Sequence, residues 1–163
     1  NSKTRQNNEL SGFWEIVSIL VASNKIWQEV DYRIKQGKKV RIKESKVGIE
    51  LDPNKQYLYI QFSKISQLYA KEGRESNGKI IPRETLRYSL EHSPEYCGTA
   101  LSVRFAHADN INGWIPDEKS KRKSGVNTAM IFDYAMVCEK YEINLDITTG
   151  QYDDEEDGDE KKF

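Results

Sequence analysis

Apolar residues recur along this chain at two periods, and each switch of period marks an element. From Glu9 to Ser23 the spacing is helical: Phe13, Val17, Leu20 and Val21 share a stripe flanked by Trp14 and Ile16. This predicts an N-terminal amphipathic helix, capped by Asn8 or Ser11 and closed at Asn24 to Ile26. The period then drops to two. Val30, Tyr32 and Ile34 alternate with Glu29, Asp31 and Arg33, and Val40 and Ile42 alternate with Lys39, Arg41 and Lys43. With Gln36-Gly37 as the turn, this reads as a β-hairpin from Glu29 to Lys43. Val47, Ile49 and Leu51 continue the alternation, and Asp52-Pro53-Asn54-Lys55 is a turn signal.

Tyr57 to Phe62 is a mostly apolar strand, and Ser63 stands where a helix N-cap is expected. Ile65, Leu68 and Tyr69 form a short helical stripe ending near Gly73. After a loop over residues 74–79, Pro82 suits the first turn of a second helix with Leu86 and Leu90 on one face, and Ser93-Pro94 ends it. Thr99, Leu101, Val103 and Phe105 alternate as a half-buried strand, and Val126 to Tyr134 reads as its hairpin partner across a polar loop over residues 109–124. A last helix spans about Tyr134 to Tyr141. Ile143, Leu145 and Ile147 follow as a short strand or a docked extended arm.

Strand, helix, loop, helix, strand from Tyr57 to His107 is the order of a winged-helix or helix-turn-helix unit. The expected fold is therefore α+β: a winged-helix-like domain with an additional β-hairpin and the N-terminal amphipathic helix. Its expected bounds are residues 9–150, with a flexible lead over residues 1–8 and a disordered acidic tail over residues 151–163.

Length and charge sharpen this picture. At 163 residues the chain suffices for one domain with one real core. The net charge of −1 hides an asymmetry: Asp153 to Phe163 carries seven acids and two lysines, leaving a net +4 on residues 1–152. Such a tail stays solvated by self-repulsion, or competes with nucleic acid for a basic face. No apolar run of about 18 residues occurs, so no membrane contact is expected. The first residues have neither an apolar signal-peptide core nor an initiator Met, so the chain reads as a processed product or an excised segment. Cys97 and Cys138 form no C-x-x-C pair, and His92 and His107 complete no metal-ligand spacing. Buried thiols in a reducing cytoplasm are the simpler expectation, and a disulfide between them is a matter of geometry.

Phosphate-cradling, dinucleotide-binding, nucleophile-elbow and zinc-helix motifs are all absent, and the chain offers no motif for independent catalysis or for a cofactor. What remains is a binding surface. Six positive charges (Lys35, Lys38, Lys39, Arg41, Lys43, Lys46) fall between residues 35 and 46 against Glu44 alone. Alternation puts Lys39, Arg41 and Lys43 on one strand face, which is either a solvated outer face or a phosphate-contacting patch. On the second helix of the winged-helix pair, Arg83 and Arg87 lie four residues apart on one face beside Tyr88, the spacing for reading a groove. The loop before the last strand adds Lys119, Lys121, Arg122 and Lys123 as phosphate contacts.

Residues 58–72, 81–98 and 100–105 (LYIQFSKISQLYAKE, IPRETLRYSLEHSPEYCG and ALSVRF) resemble the C-terminal winged-helix region of primase-helicase proteins carried by phages, plasmids and integrative elements, especially in Bacteroidetes. Those proteins resemble virulence-associated E-like helicases. Residues 13–26 and 31–34 are similar to the segment joining the ATPase to that region. The resemblance runs from Phe13 to Tyr141 and rests on hydrophobic pattern and the Pro94–Gly98 turn. It implies a non-catalytic DNA-binding module in mobile-element replication, or a docking domain for a helicase or primase partner. Duplex or single-stranded DNA is the expected ligand, with phosphate contacts outweighing base reading and with weak sequence specificity.

Overall fold

The computed structural model describes residues 2–106 and 125–147. The chain is mixed α+β, and its elements run α1 (Ser2–Ala22), β1 (Tyr32–Gln36), β2 (Lys39–Ile42), β3 (Ser45–Glu50), β4 (Gln56–Ile60), α2 (Phe62–Glu75), α3 (Arg83–Glu91), β5 (Tyr96–Phe105), β6 (Gly125–Asp133) and α4 (Tyr134–Tyr141). The first helix starts earlier than its apolar stripe. Its bounds place residues 2–8 within α1. Asn8 and Ser11 thus lie inside the helix, while Asn24, in the left-handed region with φ 60°, closes it as expected. Helix α2 begins one residue before Ser63, with Gln61 at the N-cap and no side-chain cap. No described helix is long and apolar enough to cross a membrane.

The six strands among the described residues form one antiparallel sheet in the order β1-β4-β6-β5-β2-β3. The β5–β6 hairpin is present as the alternation predicts, and it lies in the middle of this sheet. The Glu29 to Lys43 hairpin is not formed. Strand β1 pairs with β4, while β2 pairs with β3 and β5. Alternation fixes which side of a strand is apolar, but it does not choose the partner, and Gln36-Gly37 links two strands that are not neighbours.

That link determines the shape of the sheet. In a flat sheet β1 and β2 would stand four strand spacings apart, about 19 Å. Three Cα steps from Gln36 to Lys39 reach at most about 11 Å. The sheet therefore curls until the two regions meet. The connection is fastened by Gly37 N–H donating to the Lys55 carbonyl (2.9 Å) and Leu51 N–H donating to the Lys38 carbonyl (3.0 Å).

The curl separates two cores. On the convex face Phe13, Trp14, Val17 and Leu20 of α1, Ile65 and Tyr69 of α2, Leu86 and Leu90 of α3 and Val137 of α4 pack on Tyr32, Leu58, Ile60, Met130 and Phe132 of the sheet. On the concave face Ile42, Leu51, Tyr57, Tyr59, Ala100, Val103, Phe105, Ala129 and Ile131 form a second cluster. Alternation along β4 and β6 sends successive residues to opposite cores, so their near-continuous apolar runs are explained by burial on both sides. Residues 143–147 form no strand. They dock as an extended arm, with fully buried Leu145 held by its N–H donating to the Tyr134 hydroxyl (2.9 Å) and its carbonyl accepting from the Tyr32 hydroxyl (2.5 Å).

Candidate nucleic-acid interface

Curling brings the basic run into one place. A cleft of about 370 Å³ opens on the concave side, lined by Lys35 of β1, Lys38 of the link, Lys39 and Arg41 of β2 and Lys46 of β3. Val40, Val47, Tyr59, Ser102 and Val103 complete its wall, and none of its lining residues among the described ones is acidic. Residues from both outer strands, β1 and β3, thus share one cleft, which a flat sheet does not allow. The Lys35 ammonium lies 5.6 Å from the centre of the Tyr59 ring, near the buried floor. Five cations thus line a single cleft.

Glu44, the one acid in the run, faces elsewhere. Its carboxylate accepts from the Tyr96 hydroxyl (2.5 Å) and from the Thr99 amide (3.0 Å), tying the β2–β3 turn to β5. Burial acts to raise its pKa, but these two hydrogen bonds prevail and hold the carboxyl below its ordinary value. Glu44 therefore anchors the hairpin that carries Arg41 and Lys46.

The predicted helical residues go to the other face. Both Arg83 and Arg87 lie against Phe62, the first residue of α2, with guanidinium carbons 5.7 and 5.2 Å from its ring centre. Arg83 also donates to the Ser63 hydroxyl at 2.9 Å. Tyr88 is exposed and stacks on His92 with ring centres 4.0 Å apart. Arg87 lines a second cleft, of about 260 Å³, together with Lys43.

Lys39, Arg41 and Lys43 consequently do not act as one face. Lys39 and Arg41 line the concave cleft, while Lys43, one residue beyond the end of β2, lines the convex one and pairs with Glu91 at 3.3 Å. Lys119, Lys121, Arg122 and Lys123, like His107 and the acidic tail, lie outside the described residues. Lys35, Lys38 and Lys46 were absent from the expected contact set, although the six-charge run was their signal. Periodicity on a single strand could not join them, because they meet only through the curl.

Cys97 and Cys138 are free thiols. Burial pushes the Cys97 thiol up to about 11 and raises that of Cys138. Among the described residues no three of His, Cys, Asp and Glu gather as a metal-ligand set. No family model, curated protein or solved structure matches the chain.

Proposed function

We propose that this chain is a non-catalytic DNA-binding module that grips a single strand through its phosphates. The convergence of Lys35, Lys38, Lys39, Arg41 and Lys46 on one concave cleft carries this reading. Lysine and arginine contacts to phosphate hold a strand without reading its sequence, so specificity is weak. Size favours one strand over two: a duplex whose major groove alone is about 12 Å wide cannot enter a cleft of about 370 Å³. The helix α3 is less suited to base reading, since Arg83 and Arg87 are both engaged with Phe62.

The resemblance to the winged-helix region of mobile-element primase-helicases supplies the biological setting of the proposal. The order β4, α2, α3, β5, β6 supports a winged-helix-like centre, here with its hairpin extended into a larger sheet by β1 to β4. In such a replication protein a sequence-tolerant grip on unwound DNA complements a separate motor.

The test is fluorescence anisotropy with labelled single-stranded and duplex oligonucleotides at two salt concentrations. Tighter binding of the single strand, weakened by salt, is expected. Reversing both Lys39 and Arg41 to Glu should weaken it by about tenfold or more. Absence of binding at low salt, or unchanged affinity after the reversal, overturns the reading.

A further inference from the structure

The second cleft, on the convex face, shares no lining residue with the concave one. It lies where α2 begins, under α3 and over β5 and β6, and contains three cations: Lys43, Lys64 and Arg87. Two of them are compensated. Lys43 pairs with Glu91 at 3.3 Å, and Lys64 pairs with the buried carboxylate of Asp31. Arg87 differs. Its Nε is shut off from solvent and has no hydrogen-bond partner, and among the described residues its guanidinium has no carboxylate, only the Phe62 ring. A buried N–H without an acceptor is costly, and a guanidinium offers a planar fork suited to two oxygens at once.

Hydroxyl donors stand elsewhere on the wall. Ser63 and Thr128 bring hydroxyl groups to the cleft. The Ser63 oxygen accepts from Arg83, which leaves its own hydrogen to donate inward. Helix α2 has no side-chain cap and no acid in its first turn, so its positive end adds to the same field. The one carboxylate on the wall, Glu91, is held by Lys43.

From this arrangement we infer that the convex cleft is a binding site for a phosphate monoester, with Arg87 as its principal ligand and Lys43, Ser63 and Thr128 around it. A carboxylate would satisfy the Arg87 fork alone. A phosphate group, with three outer oxygens, meets the fork together with the hydroxyl donors. The same chemistry is present in a free nucleotide and at the 5′ end of a DNA strand. The site is independent of the concave grip, and either stands if the other fails.

The experiment uses the full chain with Lys39→Glu and Arg41→Glu, so that the concave cleft contributes little. The side-chain Nε–H resonance of Arg87 is followed by NMR during titration with inorganic phosphate, with adenosine monophosphate, and with short oligonucleotides carrying a 5′-phosphate or a 5′-hydroxyl. A saturable shift with phosphate-bearing ligands is expected. Preference for the 5′-phosphorylated strand assigns the site to DNA ends, and equal response to the mononucleotide assigns it to free nucleotides. In Arg87→Gln, followed by calorimetry, affinity should fall about tenfold or more, with partial recovery in Arg87→Lys. Thr128→Ala provides a second, milder variant whose folding is not at issue. No saturable shift at millimolar phosphate, or equal affinity in Arg87→Gln, overturns the inference.

Discussion

Gly37 lies directly against the backbone of Asp52: a Cβ at Gly37 would stand 2.0 Å from the Asp52 carbonyl oxygen. The obstruction is backbone, so it cannot move aside as the end of a side chain would. This contact closes the connection between β1 and β2 and thereby sets the curl that gathers the basic run. Gly37→Ala should destabilise the fold by at least about 2 kcal/mol, measured as a lower urea midpoint. It should also weaken single-strand binding, because Lys35 on one side of the link and Lys39 on the other would separate. Wild-type values for both would show that the link is looser than its contacts indicate.

Glu95 offers a second stability test. It is fully buried, accepts from the Tyr141 hydroxyl at 2.6 Å and pairs with Lys140 at 3.2 Å, joining the start of β5 to α4. Replacement by alanine orphans both donors. Breaking a fully buried pair costs about 3–5 kcal/mol, but Lys140 keeps access to water, so a loss of about 2 kcal/mol is the better expectation. Glu95→Gln keeps an oxygen for Tyr141 and should lose less. Denaturation midpoints of the two variants check the order. Equal losses would mean that packing, not the polar partners, sets the cost.

Much of this fold was legible from spacing alone. The α1 stripe from Phe13 to Val21, the β5–β6 hairpin and the helices containing Ile65 and Leu86 all follow from local periods of 3.6 and 2. The partner of β1 did not, since Tyr32 and Ile34 carry no mark that selects Leu58 and Ile60 over Val40 and Ile42. That choice is made by long-range packing against α1 and the docked arm, seen in the Tyr32 hydroxyl bond to Leu145. The candidate site inherits the same limit. The charge run over residues 35–46 was visible, but the grouping of Lys35 with Lys46 depends on the curl, and the parting of Lys43 from Arg41 on the end of β2 at Ile42. The α3 arginines kept their predicted common face, and that face turns to Phe62.

A pH dependence follows from Glu44. Its carboxyl titrates lower in the folded chain than at its ordinary value of 4.5. A depressed acid stabilises the fold above its unfolded pKa and loses that contribution as pH falls through the folded one. Wild type should therefore exceed Glu44→Gln in thermal midpoint at neutral pH, and the gap should close as the pH drops below about 4. Because Glu44 is partly solvent-exposed, the effect is small, and the convergence of the two curves is the informative feature. A gap that persists unchanged to low pH would assign the difference to the loss of a hydrogen-bond acceptor and not to charge.

The salt dependence of binding counts the cations that touch DNA. For a single strand, the slope of log affinity against log salt is about −0.7 per neutralised phosphate. Five contacts in the concave cleft set a limit near −3.5. Replacing Lys35, Lys39 or Lys46 singly by alanine should make the slope shallower by about 0.7 each, and the changes should add for residues on different strands. Lys43→Ala is the informative contrast. It comes from the same run of charge and lies one residue beyond β2, yet it faces the convex cleft beside Glu91. If the curl creates the grip, the slope for an oligonucleotide with a 5′-hydroxyl should be insensitive to Lys43 and sensitive to Lys46, which sits on a different strand from Lys39. Equal sensitivity to all of them would mean that the strand samples the total charge of the run and that the cleft does not organise it.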